Sequence, residues 1–141
     1  MTLDEAYSLI GATVDQMNAQ YGKTVFDEWV VISLHENASR ILNYHGPRKD
    51  DFQKHFASDL DTLRNDLEDQ QFGVGDFEFA RHAGGTRFDA FLVLGRGCYL
   101  ICNNTHATMD VIAKDPRWLA AQVPFVEMSD KIRAKPIALK A

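Results

Sequence analysis

The sequence predicts a mixed α+β fold: a five-stranded antiparallel sheet with packed helices, in the order α-β-β-α-β-β-β-α. Three observations predict it. Apolar residues recur at helical steps of three and four over residues 3–21 and again over 52–67. Five short segments rich in β-branched and aromatic residues lie between them and after them. The connectors within each group of strands are short and polar. A parallel return needs about a dozen residues or more, so these strands must run antiparallel.

The first helix has a defined start. Thr2 and Glu5 have the spacing of a capping box, in which each side chain accepts from a free amide of the first turn. Leu3, Tyr7, Ile10, Val14, Met17 and Tyr21 form one stripe, and Gly22 is a natural stop. The plain reading of this stripe is a helix packed on a sheet. Its steps are also heptad steps, so a dimer seam is the alternative. The next segment, "VFDEWVVISL", alternates Phe26, Val30, Ile32 and Leu34 against Trp29 and Val31, as expected of a strand buried on both faces. "HENAS" is a polar turn, and "RILNYHG" completes a hairpin.

Residues 50–71 read as the most regular helix, with Phe52, Phe56, Leu60, Leu63 and Leu67 on one face. Seven acids against two bases over residues 50–69 make its other face a solvated acidic surface or a dock for a basic partner. Three strands follow as a meander: "GDFEFARHA", with Phe77, Phe79 and Arg81 on one side, then "RFDAFLVLG" and "CYLICNN". The chain closes in helix. "TMDVIAKD" is short, and "DPRWLAAQ" opens with Asp115 as cap and Pro116 at the first helical position. Pro124 is expected to break or kink it before "FVEMSDKIRAK" continues. The 141 residues read as a single domain, 1–141, with residues 105–141 as a C-terminal helical extension.

Composition narrows the function. With 45% hydrophobic and 25% charged residues, this is an ordinary globular chain. A net charge of −5 argues against nonspecific nucleic-acid binding, which needs a basic face. No apolar run is long enough to span a membrane. The acidic start "MTLDEAYSLI" is unlike a signal peptide, so a cytoplasmic location is expected.

The candidate chemistry is sparse. Cys98 and Cys102 share one face of a strand, where four residues span roughly 13 Å. A disulfide needs α-carbons within about 7 Å. Zinc-binding turns place their cysteines closer in sequence. Both thiols are therefore read as free, small apolar core residues. His35, His45, His82 and His106 fall near strand ends and are able to converge on one rim of the sheet. His55 lies on the acidic helix, and no pair has metal-helix spacing. "GVGDFEFARHAGG" lacks the lysine end of a phosphate loop and runs into a strand, so its glycines are assigned to turns. In "YHGPR", Arg48 is either presented at a loop or follows a plain strand-to-helix break. Trp118 and Phe125 are core anchors or partner contacts. No cofactor is expected.

In element order the chain resembles the roadblock family, the dynein-light-chain type within the roadblock and longin group. The residues that carry the likeness are "FDEWVVISLHENASRILNYHG", the helix beginning "DDFQKHFASDL", and "FEFARHAGGTRFDAFLVLGRGCYLICNN", within residues 3–104. The resemblance implies a noncatalytic scaffold or regulator that forms homodimers by joining sheets and packing central helices, beside a small Ras-like GTPase or in a motor complex. On that geometry the interface falls on Phe77, Phe79 and Arg81 of the strand and Phe52, Phe56 and Leu60 of the helix. The roadblock pattern has no residue-level motif to carry over, and residues 105–141 extend past the minimal domain. Two other readings stand beside it. PAS- and profilin-like domains arrange similar elements around one sheet and act as small-molecule sensors with a cavity between sheet and helix. An enzyme would use a histidine-containing site at the sheet rim.

Overall fold

The computed structural model describes residues 1–35, 38–48, 72–79, 88–106, 112 and 114–138. Helix α1 (Leu3–Tyr21) is followed by β1 (Glu28–His35), β2 (Ala38–His45), β3 (Phe77–Phe79), β4 (Asp89–Gly95) and β5 (Cys98–Asn103). Helices α2 (Arg117–Ala121) and α3 (Val123–Ala134) complete the order. The helix expected over residues 50–71 lies outside the described residues, as do most of "TMDVIAKD" and the segment 80–87.

The predicted helix signals are met in part: the Glu5 carboxylate takes the Thr2 hydroxyl where an amide was expected, and Pro116 stands one position before the helix it was expected to open. Thr2 accepts from the Glu5 amide at 3.1 Å and donates to its carboxylate at 3.1 Å. Gly22 takes the left-handed conformation (φ 79°) and its N–H returns to the Asn18 carbonyl. Near the C-terminus, Asp115 Oδ1 accepts from the Arg117 amide at 2.9 Å, which starts α2. The helical run breaks at Gln122, as expected near Pro124, and a new helix begins at Val123. Pro124 sits in the first turn of α3, where its missing N–H costs nothing.

The strands form one sheet in the order β2-β1-β5-β4-β3, antiparallel throughout. The hairpin and the meander thus meet where β1 pairs with β5. This central position explains why β1 is buried on both faces, as its composition predicts. Trp29 and Val31 face the helices, while Val30 and Ile32 join Phe91 and Val93 on the other side. Phe26 departs from the expected alternation. It precedes β1 and packs on the helix side against Phe88, with ring centroids 5.4 Å apart. Asn18 holds it there, since its side chain bonds the backbone of both Val25 and Phe26.

One core occupies the helix side. Ile10, Val14, Met17 and Tyr21 of α1 share it with Trp118, Phe125, Met128 and Ile132 of α2 and α3. Phe77 and Phe79 meet Phe125 at centroid distances of 5.3 and 5.0 Å, and Phe88 meets Trp118 at 4.9 Å. Full burial of each such side chain contributes roughly 1.5–3 kcal/mol. The C-terminal helices are therefore part of the same core, and Trp118 and Phe125 anchor it.

Two irregularities shape the sheet. In β2, Asn43 lies opposite Val31 and Ile41 opposite Ile32, so Leu42 is an extra residue, a bulge. In β4, Leu94 is skipped in the pairing with β5, and its carbonyl accepts instead from the Ile137 amide at 3.0 Å. The tail after α3 crosses the sheet at this point, directly over Gly95. A Cβ on Gly95 would lie 2.0 Å from the Ile137 carbonyl oxygen. Gly95→Ala is expected to displace the tail and cost about 2–4 kcal/mol, as overpacking against a backbone does. Urea unfolding checks this; a change below about 0.5 kcal/mol would show that the tail yields freely.

Candidate functional site

The candidate site forms where the chain enters β1 and leaves β2 and β5. The Asn104 side-chain amide donates to the carbonyls of Thr24 (3.0 Å) and Val25 (2.9 Å), and its backbone N–H donates to Phe88 (2.8 Å). One buried asparagine therefore ties the head of β1, the head of β4 and the end of β5 together. Asp27 and Glu28 stand at this junction because the β1–β5 register sets Glu28 opposite Asn103.

Glu28 is fully buried, with 0% of its side chain exposed. Arg48 grips it with two bonds, Nε to Oε2 at 2.9 Å and Nη2 to Oε1 at 2.6 Å. The Tyr44 hydroxyl donates to Oε2 at 2.6 Å, and Asn103 Nδ2 donates to Oε1 at 2.9 Å. The Tyr44 oxygen also accepts from the Arg48 amide at 2.8 Å, which fixes the loop after β2. Gly46 is required here, since a Cβ would stand 2.8 Å from the Tyr44 oxygen and 2.9 Å from Glu28 Cγ. Burial pushes the Glu28 carboxyl up, but the bonds from Arg48, Tyr44 and Asn103 more than offset it and hold the group below its ordinary range. Burial and the bond to Glu28 push the Tyr44 phenol up to about 12.

Above this network lies an open cleft of about 510 Å³, lined by Asp27, Tyr44, His45, Gly46, Pro47 and His106. The Asp27 carboxylate accepts from the Thr105 amide at 2.9 Å and from the Thr105 hydroxyl. It faces His106 Nε2 at 3.5 Å. The His45 ring stacks on buried Trp29, with centroids 5.6 Å apart. The expected gathering of histidines at a rim is thus realised for His45 and His106. His55 and His82 lie outside the described residues, and His35 stands at the far end of β1. Among the described residues no group of three metal-ligating side chains is close enough to hold an ion.

The cysteines behave as the strand spacing predicts. Cys98 and Cys102 are free, fully buried and on the helix-facing side of β5. Burial pushes the Cys98 thiol up to about 12 and raises Cys102 as well, so neither supplies a thiolate. Of the interface residues expected from sequence, Phe77 and Phe79 are half-buried, with their rings turned into the aromatic core. What β3 presents outward is backbone. Val93 bonds Gly75 and Asp76 on the β3 side, so Phe91 faces β3 as well and pairs with Glu78. Phe77 and Phe79 then direct their N–H and C=O groups away from β4. Arg81, Phe52, Phe56 and Leu60 lie outside the described residues.

Sequence reasoning did not find Asp27, Glu28 or Asn103 as site residues, and it left Arg48 between a loop role and a plain break. The available signal was two adjacent acids, "DE", directly before the apolar run Trp29–Ile32. Partnering across 20 and 75 residues is not visible without the sheet order.

Two outcomes are expected. Arg48→Met leaves the Glu28 charge buried without its cation and should cost about 3–5 kcal/mol near neutral pH. The pH dependence distinguishes this from lost packing. In the native protein the Glu28 contribution is present above the ordinary carboxylate range and is lost as pH falls from that range through the lowered native value. In the variant, burial still raises the Glu28 pKa while only Tyr44 and Asn103 are left to lower it, so the loss of stability on acidification should shrink or reverse. Chemical denaturation at several pH values reads both slopes, and parallel slopes would contradict the ion-pair account. Separately, a thiol reagent should modify neither cysteine in the folded protein and both after unfolding; fast labelling of native protein would overturn their placement in the core.

No protein-family model, no curated protein and no solved structure matches the chain, so the reading of its site rests on its own geometry.

Proposed function

We propose that this protein is a noncatalytic, homodimeric regulatory module whose two copies join through the outer edge of β3. The observation that carries the reading is the difference between the two sheet edges. The β2 edge carries the Leu42 bulge and exposed Ser39 and Arg40, devices that discourage strand pairing. Over Phe77–Phe79 the β3 edge pairs with β4 in register, and Phe77 and Phe79 pack from behind on Phe125. Among the described residues β3 is a sheet edge, and such an edge is suited to isologous pairing with a second copy. The element order expected from the sequence resembles the roadblock pattern, and that resemblance suggests a small Ras-like GTPase as the partner class.

Sedimentation across a range of concentrations tests the dimer, and hydrogen exchange locates it. The amides of Phe77 and Phe79 should exchange more slowly as concentration rises, while outward amides of β2 should not change. A monomer at every concentration would end this reading. Capture of a small GTPase with an affinity that depends on its bound nucleotide would support the regulatory part.

A further inference from the structure

We propose that the rim cleft between β1, β2 and β5 is a binding site for a small organic ammonium group, with the Asp27 carboxylate as counter-ion. The argument begins with charge. Two adjacent carboxylates, Asp27 and Glu28, stand at the head of β1, and one guanidinium, Arg48, serves them. Arg48 spends its bidentate grip on Glu28 at 2.6 and 2.9 Å, so that pair is closed. The Asp27 carboxylate bonds Thr105 and faces the His106 imidazole, with the Arg48 charge acting on it from farther off. Counted with neutral histidines, Asp27 is the one charged side chain among the described residues that line the open volume.

The walls fit the same ligand. Tyr44 and His45 line the cleft, and His45 is held in place by its stack on Trp29. Aromatic faces attract an ammonium group electrostatically, in addition to the carboxylate. Gly46 and Pro47 add backbone and apolar surface to the lining, suited to a short alkyl chain. Asp27 retains hydrogen-bonding capacity. A carboxylate has about four acceptor positions, and Thr105 occupies two of them. Thr105 also fixes the direction of the carboxylate, so binding would not have to order it. An oxyanion would meet the opposite conditions: a carboxylate in the cleft and a guanidinium already engaged.

The site goes beyond the dimeric role proposed above and does not depend on it. Heteronuclear NMR of the labelled full chain at about pH 8 provides the test, with n-butylamine as probe and n-butanol as its uncharged counterpart. n-Butylamine should shift the backbone signals of residues 27, 44–46, 105 and 106, with saturation in the weak millimolar range. n-Butanol should bind at least about tenfold more weakly, as should n-butylamine to Asp27→Asn. A lysine side chain offers the same chemistry, so Nα-acetyl-lysine amide forms a further arm. Equal binding would extend the occupants to lysines of a partner protein, and weaker binding would restrict them to free amines. Equal shifts from amine and alcohol, stronger shifts from inorganic phosphate, or no localised shift at tens of millimolar amine would overturn the proposal. The comparison of amine with alcohol uses the unmodified protein, so it decides the matter even where Asp27→Asn does not fold.

Discussion

The antiparallel pairing of β1 with β5 is the interaction on which the other features depend. It joins strands about seventy residues apart in the chain and turns a hairpin and a meander into one sheet. Such pairing must meet the loop-closure entropy before any contact offsets it, so it forms only with strong burial on both faces. The composition of β1 meets that condition. Trp29 and Val31 enter the helix-side core, and Val30 and Ile32 enter the opposite cluster. Without β5 beside it, β1 would be an edge strand with an apolar interior sequence.

From that pairing follows the organisation of the helix side. The α1 stripe lies along the sheet, and α2 and α3 bring Trp118 and Phe125 against Phe77, Phe79 and Phe88. The aromatic packing holds the short β3 strand from behind, and among the described residues β3 is a sheet edge. The tail then closes over Gly95, the one residue type whose missing Cβ admits the Ile137 carbonyl. The C-terminal helices and the β3 edge are in this sense one structural unit, and the edge proposed for dimerisation is built by residues far from it in sequence.

The rim cleft follows from the same pairing. The Glu28–Asn103 register places two polar residues at the sheet margin, and the loop after β2 supplies Tyr44 and Arg48. A buried carboxylate without such partners would be costly, so the network is as much a requirement as a feature. Its consequence is a division of labour between neighbours. Glu28 is neutralised and structural, while Asp27, one residue earlier, faces the open cleft.

Local sequence determined what local physics can determine. The cap at Thr2, the left-handed stop at Gly22, the strand segments and the free cysteines on one face are all legible, because each depends on residues within a few positions of one another. The antiparallel sense of neighbouring strands is legible for the same reason, since short connectors permit nothing else. Phe26 marks where this reasoning stops: its side was decided by Asn18 holding the backbone before β1, not by alternation. The strand order, the Leu42 and Leu94 bulges, the Glu28–Arg48–Asn103 network and the meeting of His45 with His106 came only from tertiary structure. Each requires knowing which distant segments are adjacent. That adjacency is set by the summed burial of two sheet faces, which no short window of sequence contains.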